Sequence, residues 1–137
     1  MTYDELFRHT KKLKVLYVED EPLVREATLS FLENYFTSIE VCRDGQAGFR
    51  KYEQNLDTDS SYDIVLTDIR MPILSGVEMA KAIKQINEEQ IIVFITAQKD
   101  KDFFLKATTL EVDYCLFKPL ELDEFIKVIE DIIKLDN

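Results

Sequence analysis

Cysteine, histidine and basic charge are all scarce in this 137-residue chain, and each shortage removes a class of function. The two cysteines, Cys42 and Cys115, lie in separate apolar runs with no metal-ligand spacing. That speaks against a thiolate metal site or a disulfide framework and points to reduced core thiols in a cytosolic protein. The single histidine, His9, sits in a polar lead-in and is read as a surface residue without a catalytic role. Lysine and arginine number 17 against 27 aspartates and glutamates, and the resulting net charge of −10 argues against a nucleic-acid or anionic-membrane surface. No apolar run approaches the ~18 residues needed to span a bilayer, and no signal peptide is visible, so a cytoplasmic location is expected. No linker, second domain or low-complexity segment interrupts the chain, whose length suits one domain with a proper core.

What the chain does have is a set of short apolar runs that end abruptly on polar residues. Ile64-Val65-Leu66-Thr67 stops at Asp68 and then passes through Arg70, Met71 and Pro72 towards Gly76. A run of this length bounded by turn formers reads as a strand buried on both faces, with Asp68 at its carboxyl end. Lys14–Val18 repeats the design and ends on Glu19-Asp20-Glu21. Further strands are read at Ile39–Cys42, at Ile91–Ile95 ending on Thr96-Ala97, and at Tyr114–Phe117 ending on Lys118-Pro119.

Helical patterns separate these strands. Pro22 suits a first helical turn, and Leu23, Ala27, Phe31 and Tyr35, with Val24 and Leu32, trace an apolar stripe behind it. Asp44-Gly45 opens a second helix carrying Phe49 and Tyr52, and residues 54–61 form a polar loop. Ser75 or Gly76 opens a third, the fourth spans roughly residues 100–109, and the last shows Leu122, Phe125, Ile126, Ile129, Ile132 and Ile133 at helical spacing. Ahead of the first strand, Thr2 and Glu5 have capping-box spacing. A short helix and a partly ordered lead-in are both open there. Five strands alternating with five helices imply an α/β fold, a doubly wound parallel sheet with right-handed crossovers.

Parallel strands side by side would bring Glu19, Asp20 and Asp68 to one edge of the sheet, where open α/β folds bind their ligands. Three carboxylates in one cleft repel one another, and a divalent cation relieves them. Asp20 and Asp68 are hard oxygen ligands suited to Mg2+, which keeps several waters, and Glu19 would hold one of those waters. A carboxylate oxygen is a competent nucleophile towards phosphorus. Lys118 would meet an incoming phosphoryl group as a point charge, and the Thr96 hydroxyl would donate to one of its oxygens. Glu21 reads as a solvated helix cap instead of a ligand.

With Val18-Glu19-Asp20, Thr67-Asp68-Ile69-Arg70-Met71-Pro72 and Gly76, Thr96-Ala97 and Lys118-Pro119 in hand, the chain resembles a response-regulator receiver domain of two-component signalling, similar to the chemotaxis-type regulators. The resemblance covers about residues 14–134. It implies a flavodoxin-like five-stranded sheet of order 2-1-3-4-5, with 1–13 as an N-terminal lead-in and 14–137 as the receiver domain. It implies Asp68 as phosphoacceptor, Glu19 and Asp20 as the Mg2+-binding acidic pair, Thr96 as switch hydroxyl and Lys118 as phosphate-contacting lysine. The metal would also touch the Arg70 backbone carbonyl, and the Lys118–Pro119 bond would be cis. The implied role is a signalling phosphoacceptor that catalyses only its own Mg2+-dependent phosphorylation and dephosphorylation. A sensor histidine kinase would be the donor. An output partner would read the face formed by the fourth helix, fifth strand and fifth helix, and a phosphorylation-dependent homodimer stays open. Arg70 and Gln98, two residues beyond Asp68 and Thr96, are expected to set the phosphoryl lifetime.

One position departs from the family pattern: Cys115 stands where a tyrosine or phenylalanine is usual, three residues before the lysine. Tyr114 should face the other side of the sheet. Phe117, or Phe104 from the fourth helix, is expected to fill the space. Coupling from Thr96 would then run through a shift of that helix. Three other functions compete with this one. A haloacid-dehalogenase-type phosphatase needs a second aspartate two residues after the nucleophile, where this chain has Arg70. A flavodoxin-like cofactor binder needs a hydroxyl- and glycine-rich loop where Glu19-Asp20-Glu21 would repel phosphate. A degenerate receiver acting as a constitutive module fits Cys115 but not the full acidic and lysine set.

Overall fold

The computed structural model describes residues 1–100, 102 and 114–135. In chain order the elements are α1 (Tyr3–Thr10), β1 (Lys14–Val18), α2 (Pro22–Leu32), β2 (Ser38–Cys42), α3 (Gly45–Asn55), β3 (Ile64–Thr67), α4 (Gly76–Ile86), β4 (Ile91–Ala97), a 3-10 turn (Gln98–Asp100), β5 (Tyr114–Lys118) and α5 (Leu122–Leu135). The helix expected over residues 100–109 lies almost wholly outside the described residues.

The five strands form one parallel sheet in the order β2-β1-β3-β4-β5. Its central strands carry branched apolar residues on both faces, so they bury both. Val15, Tyr17, Ile64, Leu66, Val93 and Ile95 pack towards α2 and α5, where Leu32, Phe125, Ile129 and Ile132, with Phe36 from the segment after α2, complete one core. Leu16, Val18, Val65, Ile92 and Phe94 pack the opposite way, against Tyr52 of α3 and Val77, Ala80 and Ile83 of α4. Tyr114 joins the first cluster and Cys115 the second, as alternation along a strand requires. The aromatic heart of the first core is Phe125, whose ring lies 5.0 Å from both Phe31 and Tyr35.

The lead-in is a helix built into that core. Thr2 caps it by accepting from the Glu5 amide at 3.2 Å. Leu6 is buried, and the buried Thr10 hydroxyl donates to the Tyr35 carbonyl. The apolar stripe expected along α2 is only partly buried, because Leu23 is 77% exposed and Ala27 is also exposed. Thr28 and Leu32 are the buried residues of that helix. α2 leans on the sheet through its C-terminal half, and its first turns stand proud at the sheet's carboxyl edge.

Candidate functional site

Register carries the chemistry to one edge. Val18 is paired with Thr67, so Glu19 and Asp68 leave neighbouring strands at the same level. Asp68 is fixed there by two backbone bonds: its amide donates to the Val18 carbonyl at 3.1 Å, and its Oδ1 accepts from the Ile69 amide at 2.8 Å. The loop then folds back so tightly that Gly76 donates to the Ile69 carbonyl at 2.8 Å. A Cβ on Gly76 would meet the Asp68 carbonyl oxygen at 1.9 Å, so only glycine lets α4 start here. Ser75 and Glu78 close a capping box on that start.

One ligand oxygen from each of Glu19, Asp20 and Asp68 lies within 4.8 Å of the others. Lys118 reaches them from β5, placing Nζ 2.6 Å from Glu19 Oε1 and 3.4 Å from Asp68 Oδ2. The Lys118–Pro119 peptide is cis. Thr96 is fully buried near the end of β4, in register with Phe117. Among the described residues its hydroxyl makes one long contact, 3.4 Å to the Ala97 carbonyl. Phe117 is half-buried beside it, on the face of β5 that also carries Cys115. Phe104 lies outside the described residues, as does the side chain of Gln98.

Electrostatics set the cluster apart. Glu19 is 1% exposed, and burial followed by the charge of Asp68 outweighs its hydrogen bond from Lys118, so its carboxyl is pushed up to about 7. Burial would lower the Lys118 ammonium, but the Glu19 hydrogen bond and the Asp68 charge outweigh it and hold the pKa above that of an ordinary lysine. Three carboxylates thus face one lysine. Both Glu19 oxygens are engaged, Oε1 by Lys118 and Oε2 by the Glu21 amide at 3.3 Å. Asp20 and Asp68 are left as the better direct ligands for a hard cation. This donor set fits Mg2+, which takes one or two carboxylates and keeps its waters. Glu21 occupies the N-cap position of α2, but its side chain makes no capping hydrogen bond.

Two contacts that the sequence does not announce also bear on the site. Arg25 of α2 donates Nη1 to the Glu19 carbonyl at 3.0 Å and reaches the Asp20 carbonyl at 3.5 Å, holding the acidic turn from behind. Arg70, which is exposed, pairs with Asp100 across the site's mouth, Nε to Oδ1 at 3.1 Å. Arg25 sits six and five residues from its acceptors, a spacing with no sequence signature of its own.

Beside the cluster, Leu23, Val24, Ala27, Phe31, Pro119 and Leu120 line an apolar groove of about 540 Å3 that Lys118 also borders. No helix among the described residues is long and apolar enough to cross a membrane.

The model of the response regulator receiver domain family matches residues 15–130. Among curated proteins, the chain is 29% identical over 124 residues to the transcriptional regulatory protein RprY of Bacteroides fragilis, covering 90% of this chain and 50% of that one. It is 31% identical over 114 residues to the transcriptional regulatory protein DltR of Streptococcus agalactiae, covering 83% and 49%. The chain therefore spans about half the length of the curated relatives it matches. Among solved structures it is similar to the response regulator protein TrrA of Thermotoga maritima in complex with Mg2+ and BeF, with a TM-score of 0.73, 25% identity, and coverage of 88% of this chain and 98% of that one. Fold, acidic edge and family match converge: the chain belongs to the response regulator receiver domains, the phosphoacceptor domains of two-component signalling.

Proposed function

We propose that Asp68 is the phosphoacceptor and that Glu19, Asp20, Thr96 and Lys118 serve its reaction. The observation that carries this reading is Lys118 Nζ standing between Glu19 at 2.6 Å and Asp68 at 3.4 Å, inside a cluster of three carboxylates. Asp68 Oδ2 attacks phosphorus, the bond from phosphorus to the donor imidazole nitrogen breaks, and an acyl phosphate forms on Asp68. Lys118 then exchanges its contact with the Asp68 oxygen for one with a phosphoryl oxygen, while Glu19 keeps it oriented. Thr96, poorly satisfied by its 3.4 Å contact, donates its hydroxyl to another phosphoryl oxygen. Mg2+ held by Asp20, Asp68 and the Arg70 carbonyl, with Glu19 on a bound water, would neutralise the charge that three carboxylates and a phosphoryl group bring together. Hydrolysis reverses the gain: water attacks phosphorus, the phosphorus–Oδ2 bond breaks, and inorganic phosphate leaves.

The donor is a sensor histidine kinase, and the apolar groove next to Lys118 is where its phosphohistidine-bearing helix would seat. A donor must bring phosphorus to Asp68, and Leu23, 77% exposed, offers it apolar surface adjoining the site. The output surface is the segment after β4 together with β5 and α5, and Phe117 beside Thr96 is the ring that senses the hydroxyl's move in place of a ring at Cys115. Residues 14–137 form the receiver unit, with α1 as an added brace.

Incubation with acetyl phosphate and Mg2+ tests the reading. One phosphoryl mass should appear, labile to hydroxylamine, and Asp68→Ala should abolish it while His9→Ala should not. Undiminished labelling of Asp68→Ala would remove Asp68 from the role.

A further inference from the structure

The loop leaving β3 and the turn leaving β4 are tied by an ion pair that lies outside the acidic cluster. Arg70 is two residues beyond Asp68, and its Nε is 3.1 Å from Oδ1 of Asp100, the last residue of the turn that follows Thr96 and Ala97. The partners differ in exposure: the Asp100 side chain is 16% exposed and that of Arg70 57%. A carboxylate withdrawn this far from water needs compensation, which the guanidinium supplies. The guanidinium itself stays wet, on a residue two positions beyond Asp68.

We propose that Asp100 is a positioning residue for the phosphoryl reaction. It draws the Arg70 guanidinium towards β4 while Asp68 is a carboxylate, and it yields that guanidinium to the phosphoryl oxygens once Asp68 is modified. This rests on Asp68 being the acceptor. The driving force is a change of acceptor. An unmodified Asp68 offers one negative charge already shared with Lys118, whereas a phosphoryl group adds close to two charges and three strong acceptor oxygens. Guanidinium binds such oxygens in a planar fork and prefers them to a single carboxylate oxygen. A half-exposed ion pair contributes little, so the Asp100 tie can be exchanged and does not lock the site. Its release frees the turn behind Thr96, which joins the state of Asp68 to the exit of β4 without a rotating ring at Cys115.

The test uses the full chain with Mg2+ and beryllofluoride as the phosphoryl mimic, read by titration calorimetry, and the half-life of the acetyl-phosphate-derived adduct, read by intact mass. Asp100→Asn removes one competitor for Arg70 and should tighten beryllofluoride binding and lengthen the half-life, each by about two- to fivefold, the range of an exposed ion pair. Arg70→Gln keeps the backbone carbonyl, removes the guanidinium, and should weaken binding and shorten the half-life. The double variant should match Arg70→Gln alone, because Asp100 acts only through Arg70. If Asp100→Asn changes nothing, or shifts both readouts equally with and without Arg70→Gln, the proposal is overturned. A wild-type chain that neither binds beryllofluoride nor takes a phosphoryl group overturns the assignment of Asp68 itself.

Discussion

Burial of Glu19 makes a specific demand on stability. Its carboxyl titrates near 4.5 when exposed and at about 7 in the folded metal-free site. Between those values the folded chain holds a proton that the unfolded chain has released. Stability therefore falls as pH rises through this window, and it is level with respect to this group below 4.5 and above 7. The displacement corresponds to about 3 kcal/mol across the window, at about 1.4 kcal/mol per pKa unit. Lys118 does not offset it: its pKa is raised, so its contribution is complete below the ordinary lysine value and is lost only as pH rises through the folded one. Glu19→Gln keeps an oxygen for the lysine and has no proton to lose. Urea unfolding in the presence of a chelator, at pH 4.5 and at pH 7.5, should show a wild-type loss of about 3 kcal/mol beyond that of Glu19→Gln. Saturating Mg2+ should recover most of it at the higher pH, because the cation binds the ionised cluster of the folded state only. Identical pH dependence in the two proteins would refute the argument that Glu19 is destabilised by being charged and buried.

Three further outcomes follow from the geometry. Asp20→Asn removes one of three mutually repelling carboxylates, so it should raise the melting temperature without metal and shrink the upward shift that Mg2+ gives the wild type; differential scanning fluorimetry with and without Mg2+ reads both. Gly76→Ala places a methyl group 1.9 Å from the Asp68 carbonyl, and the loop must move; labelling by acetyl phosphate should fall at least tenfold and stability by roughly 2 kcal/mol or more, and wild-type values for both would contradict the close approach. Leu6→Ala empties a buried position under α2 and α5 and should cost about 2–4 kcal/mol in denaturant unfolding; a change under 0.5 kcal/mol would mean that α1 is not part of the cooperative unit.

Much of the sheet was legible because its signals are local. Apart from β2, where Ser38 and Glu40 interrupt the pattern, each strand is built on an apolar run too short for a helix that gives way to polar residues, so Glu19, Asp68 and Lys118 could be placed at strand ends without knowing their neighbours. Ser75 and Glu78 likewise announce α4 three residues apart. Three strand ends moved under tertiary pairing, β2 by one residue to begin at Ser38. β4 runs on through Thr96 and Ala97, and β5 includes Lys118, since Ala97 and Lys118 complete a ladder that neither run could specify alone. The fate of α1 was also undecided by pattern, because Leu6 and Thr10 are buried by partners tens of residues away.

What the amino-acid order determined by itself was which residues are apolar, at what period, and which polar groups interrupt them. That suffices for a parallel doubly wound sheet with a carboxylate-rich edge. Tertiary structure alone decided who faces whom. Lys118 meets Glu19 across 99 positions of chain, Arg70 turns to Asp100, Arg25 to the carbonyls behind the acidic turn, and Leu23 stays in water despite its place on an apolar stripe. Helical periodicity marks a face but not the extent of what covers it, and α2 leans on the sheet only through its later turns. Ion pairs between loops have no period at all. They are fixed by the register of neighbouring strands, which sets the few ångströms that separate a contact from a solvated charge.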